Sequence, residues 1–248
     1  MYEERTHFDY LQKAAMYDML AQFYKYTDPN PHMHYYLKHV KYMNKALYMM
    51  RNHSQEEAMV RFVHTSYDSP EVDIYINGQR AVRELGFKSA SNPHSLKAGK
   101  YHIDIYPAGN LVESILNKTI TVEPGKSYTL AAIDSVKKMR LLMFENHPEV
   151  PANEAKVRFI HLSQDTKGLD IAVKDRDVIF PNVSYKQATE YLGLTPMTVD
   201  LEVREAGSRM VLLPMPKVQF KVNESYTIIF VGGLKEEPEL QFITLKDE

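Results

Sequence analysis

The second half of this 248-residue chain repeats its middle, and that repeat limits what it can fold into more than any other feature. Val60-Arg61-Phe62-Val63-His64-Thr65-Ser66 returns 97 residues later as Val157-Arg158-Phe159-Ile160-His161-Leu162-Ser163. At the same spacing Asp68 returns as Asp165, and Val72-Asp73-Ile74 as Leu169-Asp170-Ile171. Further on, Ile103-Asp104-Ile105 matches Val199-Asp200-Leu201, Ala108-Gly109 matches Ala206-Gly207, and Ser127-Tyr128-Thr129 matches Ser225-Tyr226-Thr227. A period of about 100 residues is too long for a solenoid or a propeller blade, so each copy is expected to be a domain in its own right.

Each copy is written in short alternating runs bounded by turn residues, the pattern of β-strands. Asn77-Gly78 is a type I′ hairpin signal. Pro107-Ala108-Gly109-Asn110 and Glu123-Pro124-Gly125-Lys126 mark two further turns, and Lys174-Asp175-Arg176 sits at the matching first hairpin of the second copy. About seven strands in about 90 residues is the count of an immunoglobulin-like sandwich. The modules span 58–146 and 155–248, joined by a stiff connector from Glu145 to Glu154 that carries Pro148 and Pro151.

Residues 1–54 follow a different period. Phe8, Leu11, Ala15, Met19 and Phe23 recur at helical spacing, widened by Met16 and Leu20. Thr27-Asp28-Pro29-Asn30-Pro31 stops that helix, and Leu37, Val40, Met43, Leu47 and Met50 form a second stripe. Two helices around a short turn make a hairpin too small to bury its own apolar stripes. The predicted fold class is therefore mainly β: two tandem immunoglobulin-like β-sandwich modules preceded by an α-helical hairpin.

The twice-written V-R-F-x-H-x-S-x-D block followed by V-D-I resembles a bacterial family known only as a domain of unknown function (number 4397). The resemblance runs from about Ala58 to the C-terminus and excludes the hairpin. It implies tandem immunoglobulin-like modules associated with a spore, cell surface or envelope. It supplies no catalytic residues.

Composition excludes several chemistries. The chain has no cysteine, which removes disulfides, thiolate metal sites and a cysteine nucleophile. A formal net charge of −2 gives no sequence-wide signal for nucleic acid. The opening MYEERTHFDYLQKAAMYDML lacks the basic start and unbroken apolar run of a secretory signal, so a cytoplasmic location is the default expectation. No membrane span is expected.

His64, Ser66 and Asp68 invite comparison with a hydrolase triad, as do His161, Ser163 and Asp165. In a strand, however, Val60, Phe62, His64 and Ser66 share one face, with Arg61, Val63 and Thr65 opposite. The imidazole then ends an apolar row, and no nucleophile elbow stands beside it. The expected role is structural: a buried histidine hydrogen-bonded to Ser or Asp, in a network with Asp73 in the first copy and Asp170 in the second. Calcium at Asp68 to Asp73 is a loose match to the required oxygen count. His32, His34 and His39 are metal candidates by type, but 32 and 34 point to different helix faces. No cofactor is expected.

Tyr35, Tyr36, Val40, Met43, Leu47 and Met50 form the expected interaction surface, since Tyr and Met suit adaptable contacts. The leading expectation is a non-enzymatic structural or interaction protein: a short two-module rod whose hairpin self-associates or docks on another protein. A glycan- or envelope-ligand-binding module and a hydrolase using His64 or His161 are the two rival readings.

Overall fold

The computed structural model describes residues 6–234 and 237–247, and of 51–56 the backbone alone. Two compact units emerge, Met1–Ala58 and Met59–Glu248.

The first unit is a helical hairpin of α1 (His7–Tyr24) and α2 (Pro29–Glu56). Thr6 caps α1 in a capping box with Asp9, so two otherwise orphaned backbone donors are satisfied reciprocally. Asp28 caps α2 by accepting from the Asn30 amide at 3.1 Å, and Pro29 takes the first helical position, where its missing N–H is harmless.

The seam between the helices is not the stripe that periodicity predicts. Phe8, Ala15, Met16, Met19 and Phe23 are exposed, while Ala14, Ala21 and Ala46 are buried. Small side chains let the backbones approach, and the flanks are filled by stacked tyrosines. Tyr10 and Tyr17 lie on Tyr42, and Tyr17 and Tyr24 on Tyr35, at centroid distances from 5.4 to 6.2 Å. His39 Nδ1 donates to the Ala14 carbonyl at 3.0 Å and His32 Nδ1 to the Ala21 carbonyl at 2.8 Å. Seven residues is about two helical turns, so a step of seven up one antiparallel helix meets a step of seven down the other.

In the second unit the first sandwich comprises β1 (Glu57–His64), β2 (Val72–Ile76), β3 (Gln79–Leu85), β4 (His94–Lys97), β5 (Gly99–Pro107), β6 (Leu116–Val122), β7 (Ser127–Ile133) and β8 (Arg140–Asn146). The second comprises β9 (Ala155–His161), β10 (Leu169–Val173), β11 (Val178–Val183), β12 (Leu192–Leu194), β13 (Met197–Glu205), β14 (Val211–Phe220), β15 (Ser225–Val231) and β16 (Gln241–Asp247). Each has two four-stranded sheets of the same order: β4-β1-β7-β8 with β3-β2-β5-β6, then β12-β9-β15-β16 with β11-β10-β13-β14. The pairs β1–β7 and β9–β15 run parallel. Asn77 and Gly78 both take positive φ, +49° and +78°, as a type I′ turn requires.

The sheets containing β1 and β9 are buried on both faces. One face of each packs into its own sandwich: Val157, Phe159, Ile228 and Phe230 join Leu169, Ile171, Leu201 and Val203 in the second core. Their counterparts Val60, Phe62, Leu130, Ile74, Ile103 and Ile105 are likewise fully buried. The other faces form a third apolar cluster in which Val63, Ala131 and Ile133 meet Ile160, Leu162, Ile229 and Val231. The expected rod gives way to two sandwiches stacked sheet on sheet. The physical reason is that β1, β7, β9 and β15 carry apolar residues on both sides, which cannot stay in water.

Two arginines clasp this contact reciprocally. Arg61 donates to Thr129 Oγ1 (2.9 Å), to the Lys246 carbonyl (2.6 Å) and to Asp247 Oδ1 (2.5 Å). Its repeat partner Arg158 donates to Thr227 Oγ1 (3.0 Å), to the Glu145 carbonyl (2.6 Å) and to Asn146 Oδ1 (2.5 Å). Asp247 and Asn146 occupy matching registers opposite Ser225 and Ser127. Only one of the two buried arginines therefore faces a carboxylate directly. Burial pulls the pKa of Arg158 down, and its guanidinium lies over the Tyr191 ring, 4.8 Å from the centroid. Burial, together with the negative charge of Asp247, pushes the Tyr191 phenol up to about 12.

Candidate functional site

The repeated His and Asp motifs are hydrogen-bonded within their own sandwiches. His64 is fully buried; its Nε2 donates to the Pro70 carbonyl at 3.1 Å and its Nδ1 accepts from the Ser66 amide at 3.2 Å. Those two bonds fix a neutral ring, and burial lowers its pKa. His161 repeats the arrangement with the Lys167 carbonyl at 3.0 Å and the Ser163 amide at 3.3 Å, with Thr166 Oγ1 also 2.9 Å from Nε2. The histidines thus bond to backbone, where the sequence suggests Ser or Asp side chains as partners. Ser66 instead donates its hydroxyl to Asp68 at 3.3 Å, and Asp68 also accepts from the Val136 amide. Asp165 accepts from the Leu234 amide, and the Ser163 hydroxyl, buried, has no partner among the described residues. Neither imidazole has a nitrogen free to take a proton from a substrate.

Asp73 and Asp170 each pin two loops. Asp73 accepts from the Glu84 amide at 2.8 Å and the Gly109 amide at 3.4 Å; Asp170 accepts from Asn182 at 2.6 Å and Gly207 at 2.9 Å. Burial raises the Asp73 carboxyl, but those amides and Arg80 outweigh it and hold the pKa below the ordinary range. The repeated Val-Asp-Ile and Ala-Gly pairs are the two ends of this bond. The repeated Ser-Tyr-Thr is explained as well: the Tyr128 and Tyr226 hydroxyls accept from the Glu123 and Lys221 amides, each five residues upstream. Among the described residues no group of three or more His, Asp or Glu side chains is arranged to hold a metal ion.

What is not repeated is where function can reside, and the hairpin is the larger such feature. Of the residues expected to form its surface, Tyr35 lies half-buried in the tyrosine stack, and Val40 and Met43 are half-buried. Tyr36, Leu47 and Met50 are exposed. His32 and His39 are engaged with α1 carbonyls, and His34 is exposed with its ring edge-on to Tyr35. Further exposed apolar surface lies on α1, on the stripe that periodicity marks but outside the six residues expected to form the interaction surface: Phe8 is 59% exposed, Met19 69% and Phe23 73%. Its counterpart on α2 includes Met33 and Leu37, the latter 60% exposed. At 100° per residue, Met19 points roughly 150° away from Ala14 and Ala21, and Leu37 points about as far from Tyr35. Each helix thus has an apolar face on the side opposite the seam. The signal was in the sequence, since α1 is apolar around most of its circumference, a pattern belonging to buried helices.

The second unrepeated feature is a polar cleft of about 460 Å³ on the second sandwich, lined by Asp175, Arg176, Asp177, Glu202, Arg204 and Arg209 with Val178 and Val211. Arg204 pairs with the buried Glu202 at 2.5 Å and donates to the Arg176 carbonyl at 3.0 Å. In the first sandwich the registers matching Ala172 and Arg204 hold Tyr75 and Tyr106, whose rings meet edge-on at 5.5 Å. The first sandwich thus carries an aromatic pair where the second carries Ala172 and the cleft-lining Arg204.

Fold and surface together define a tandem β-sandwich protein carrying a helical hairpin with uncovered apolar faces. A family model described as Domain of unknown function (DUF4397) matches residues 58–172, which identifies one such domain, covering the first sandwich and the opening strands of the second. No curated protein matches the chain. Among solved structures, CBMbc (family CBM26) from Eubacterium rectale Amy13K in complex with maltoheptaose aligns over 77% of this chain and 98% of its own, at 9% identity and a TM-score of 0.23. The Bacillus anthracis TIE protein aligns over 71% of this chain and 34% of its own, at 11% identity and a TM-score of 0.24. Scores this low carry no functional argument. No helix among the described residues is long and apolar enough to cross a membrane.

Proposed function

We propose that the chain is a non-enzymatic interaction protein, in which two sandwiches of one domain type form a stiff block and the hairpin supplies the protein-binding surface. The observation that carries this reading is the set of exposed apolar side chains on both helices, Phe8, Met19 and Phe23 on α1 and Met33, Leu37 and Leu47 on α2. Contiguous apolar surface of this kind marks an interaction site on a folded protein. The identical strand order of the two sandwiches supports reading the second as a further copy of the domain identified in the first. The test is light scattering on the full chain over a range of concentrations, beside Leu37→Glu. The expected result is mass above the monomer for the wild type and a lower mass for the variant. Equal monomer masses at every concentration would count against the reading.

The cleft favours a second reading, in which the second sandwich also holds a small polar ligand. Three arginines against three carboxylates make it close to neutral, so it suits vicinal hydroxyls, which accept from guanidinium and donate to carboxylate in pairs. Titration of the full chain with glucose and N-acetylglucosamine, read by NMR shifts, should move resonances in wild type and not in Arg209→Ala. No shift with either sugar removes this role.

A further inference from the structure

We propose that the polar cleft of the second sandwich takes a pyranose ring, held through two neighbouring ring hydroxyls on the pair Glu202 and Arg204, with the ring's C–H face against Val178 and Val211. The proposal rests on the cleft holding a small polar ligand, and adds which residues read that ligand and which part of it they read.

Glu202 and Arg204 stand two apart on β13, so both project from the outer face of their sheet, while Leu201 and Val203 point into the core. Their side chains are only 7% and 11% exposed. Arg204 places both Nε (2.7 Å) and Nη2 (2.5 Å) on a single oxygen, Glu202 Oε1, and Nη2 also donates to the Arg176 carbonyl at 3.0 Å. Glu202 Oε2 and Arg204 Nη1 are left with no hydrogen-bond partner among the described residues. The enclosed side-chain atoms that lack a partner there are His94 Nε2 and Ser163 Oγ. Oε2 and Nη1 are therefore open, and the space they open into is the cleft that both residues line. A carboxylate this deeply buried with one oxygen unbonded is costly, and a ligand donor removes that cost.

Charge and shape choose the ligand. The two residues already neutralise each other, and among the described residues no three carboxylates are arranged to hold a metal ion. What the pair offers is one acceptor beside one donor. Two adjacent hydroxyls match it, the first donating to Oε2 and the second accepting from Nη1. Val173 pairs with Leu201 and Leu169 with Glu205, so the turn carrying Asp175 to Asp177 and the turn carrying Arg209 lie at opposite ends of the sheet, with the pair between them. Val178 and Val211, both exposed, add apolar contact for a saturated ring. The first sandwich has no such site. Asp104, in the register matching Glu202, accepts from Asn117 at 2.7 Å and lies 3.3 Å from His102, and the Tyr75 and Tyr106 rings stand beside it.

The test is NMR titration of the full chain with methyl α-glucopyranoside and with its 3-deoxy derivative, whose ring has no two hydroxyls on neighbouring carbons. Methyl glucoside is expected to shift the resonances of Glu202, Arg204 and their neighbours. The 3-deoxy sugar should bind at least about tenfold more weakly, because a site built for hydroxyls rejects the analogue that leaves its groups unpaired. Equal binding of the two sugars overturns the adjacent hydroxyls as the feature read, while leaving the cleft as a ligand site. No response to methyl glucoside overturns the proposal, and the broader reading then stands or falls on the glucose and N-acetylglucosamine titration. A double variant, Glu202→Leu with Arg204→Leu, removes the pair without leaving a buried charge unpaired. It should lose the methyl glucoside response and keep the wild-type thermal midpoint; undiminished binding would show that other residues read the sugar. Should circular dichroism show that the variant has lost its fold, the comparison of the two sugars on wild type decides alone.

Discussion

The hairpin and the stacked sandwiches meet one problem, elements apolar on more than one face, and solve it to different degrees. In the sandwiches, β1, β7, β9 and β15 present apolar residues to both sides, and the stacking of like sheets buries both. In the hairpin, α1 and α2 are also apolar on two sides; the seam between them buries one, and Phe8, Met19, Phe23 and Leu37 on the other are exposed. The duplicated region supplies each of its doubly apolar sheets with a like sheet, whereas the hairpin pairs only its two helices with each other. Duplication made the first contact intramolecular, which removes the entropy cost of bringing two chains together.

The largest effect should come from breaking the clasp between sandwiches unevenly. Asp247→Ala leaves the buried Arg61 without its carboxylate and is expected to cost about 3–5 kcal/mol. Asn146→Ala removes a neutral acceptor from Arg158, along with its bonds to Thr129 and Ser127, and should cost about 1–3 kcal/mol. Urea denaturation of both variants checks the ranking; equal losses would mean that the charge on Asp247 adds nothing.

Overfilling the other seam comes next. Ala14→Leu or Ala21→Leu forces apart helices held by His39 and His32 at those carbonyls, an overpacking cost of about 1–3 kcal/mol. Thermal loss of the helical circular dichroism signal should shift down. An unchanged midpoint would show that the seam can re-pack around a larger side chain.

Smaller again is the response to acid. The folded-state pKa values of His64 and His161 lie below 6.5, so the unfolded chain binds protons first as pH falls. Stability should be flat just above pH 6.5, decline below it until the buried rings themselves protonate, and decline again below 3.8 as Asp73 loses charge. In His161→Asn the first decline should shrink; an unaltered slope between pH 7 and 5 would contradict a neutral buried ring. The smallest stability change belongs to the outer face. Leu37→Gln should stay within about 0.5 kcal/mol of wild type in denaturation, yet lower the mass seen by light scattering.

Much of this could be read from the sequence because strand alternation and turn residues are local signals. Asn77-Gly78 sets its own turn, and the recurrence of His64 as His161 marks a position tied to the fold. Other parts needed neighbours distant along the chain. Arg61 and Arg158 stand on the face opposite the histidines, and alternation alone gives that face to water. Only the approach of Asp247, 186 residues away, makes it a buried clasp. Likewise, periodicity found a stripe on α1 that the hairpin could not bury by itself, but a hydrophobic stripe does not say which side of the helix its neighbour covers. The alanines and tyrosines that form the seam are weaker apolar signals than Phe and Met, and they won because two backbones can approach closely only over small side chains.

By itself the sequence determined the repeat, the strand and helix periods, the turns and the hydrogen-bonding residues each sandwich needs, all of which act over a few residues or recur with each copy. The tertiary structure alone decided which apolar face is covered and which is left open. Burial is a property of two surfaces meeting, and one chain read in order contains only one surface at a time.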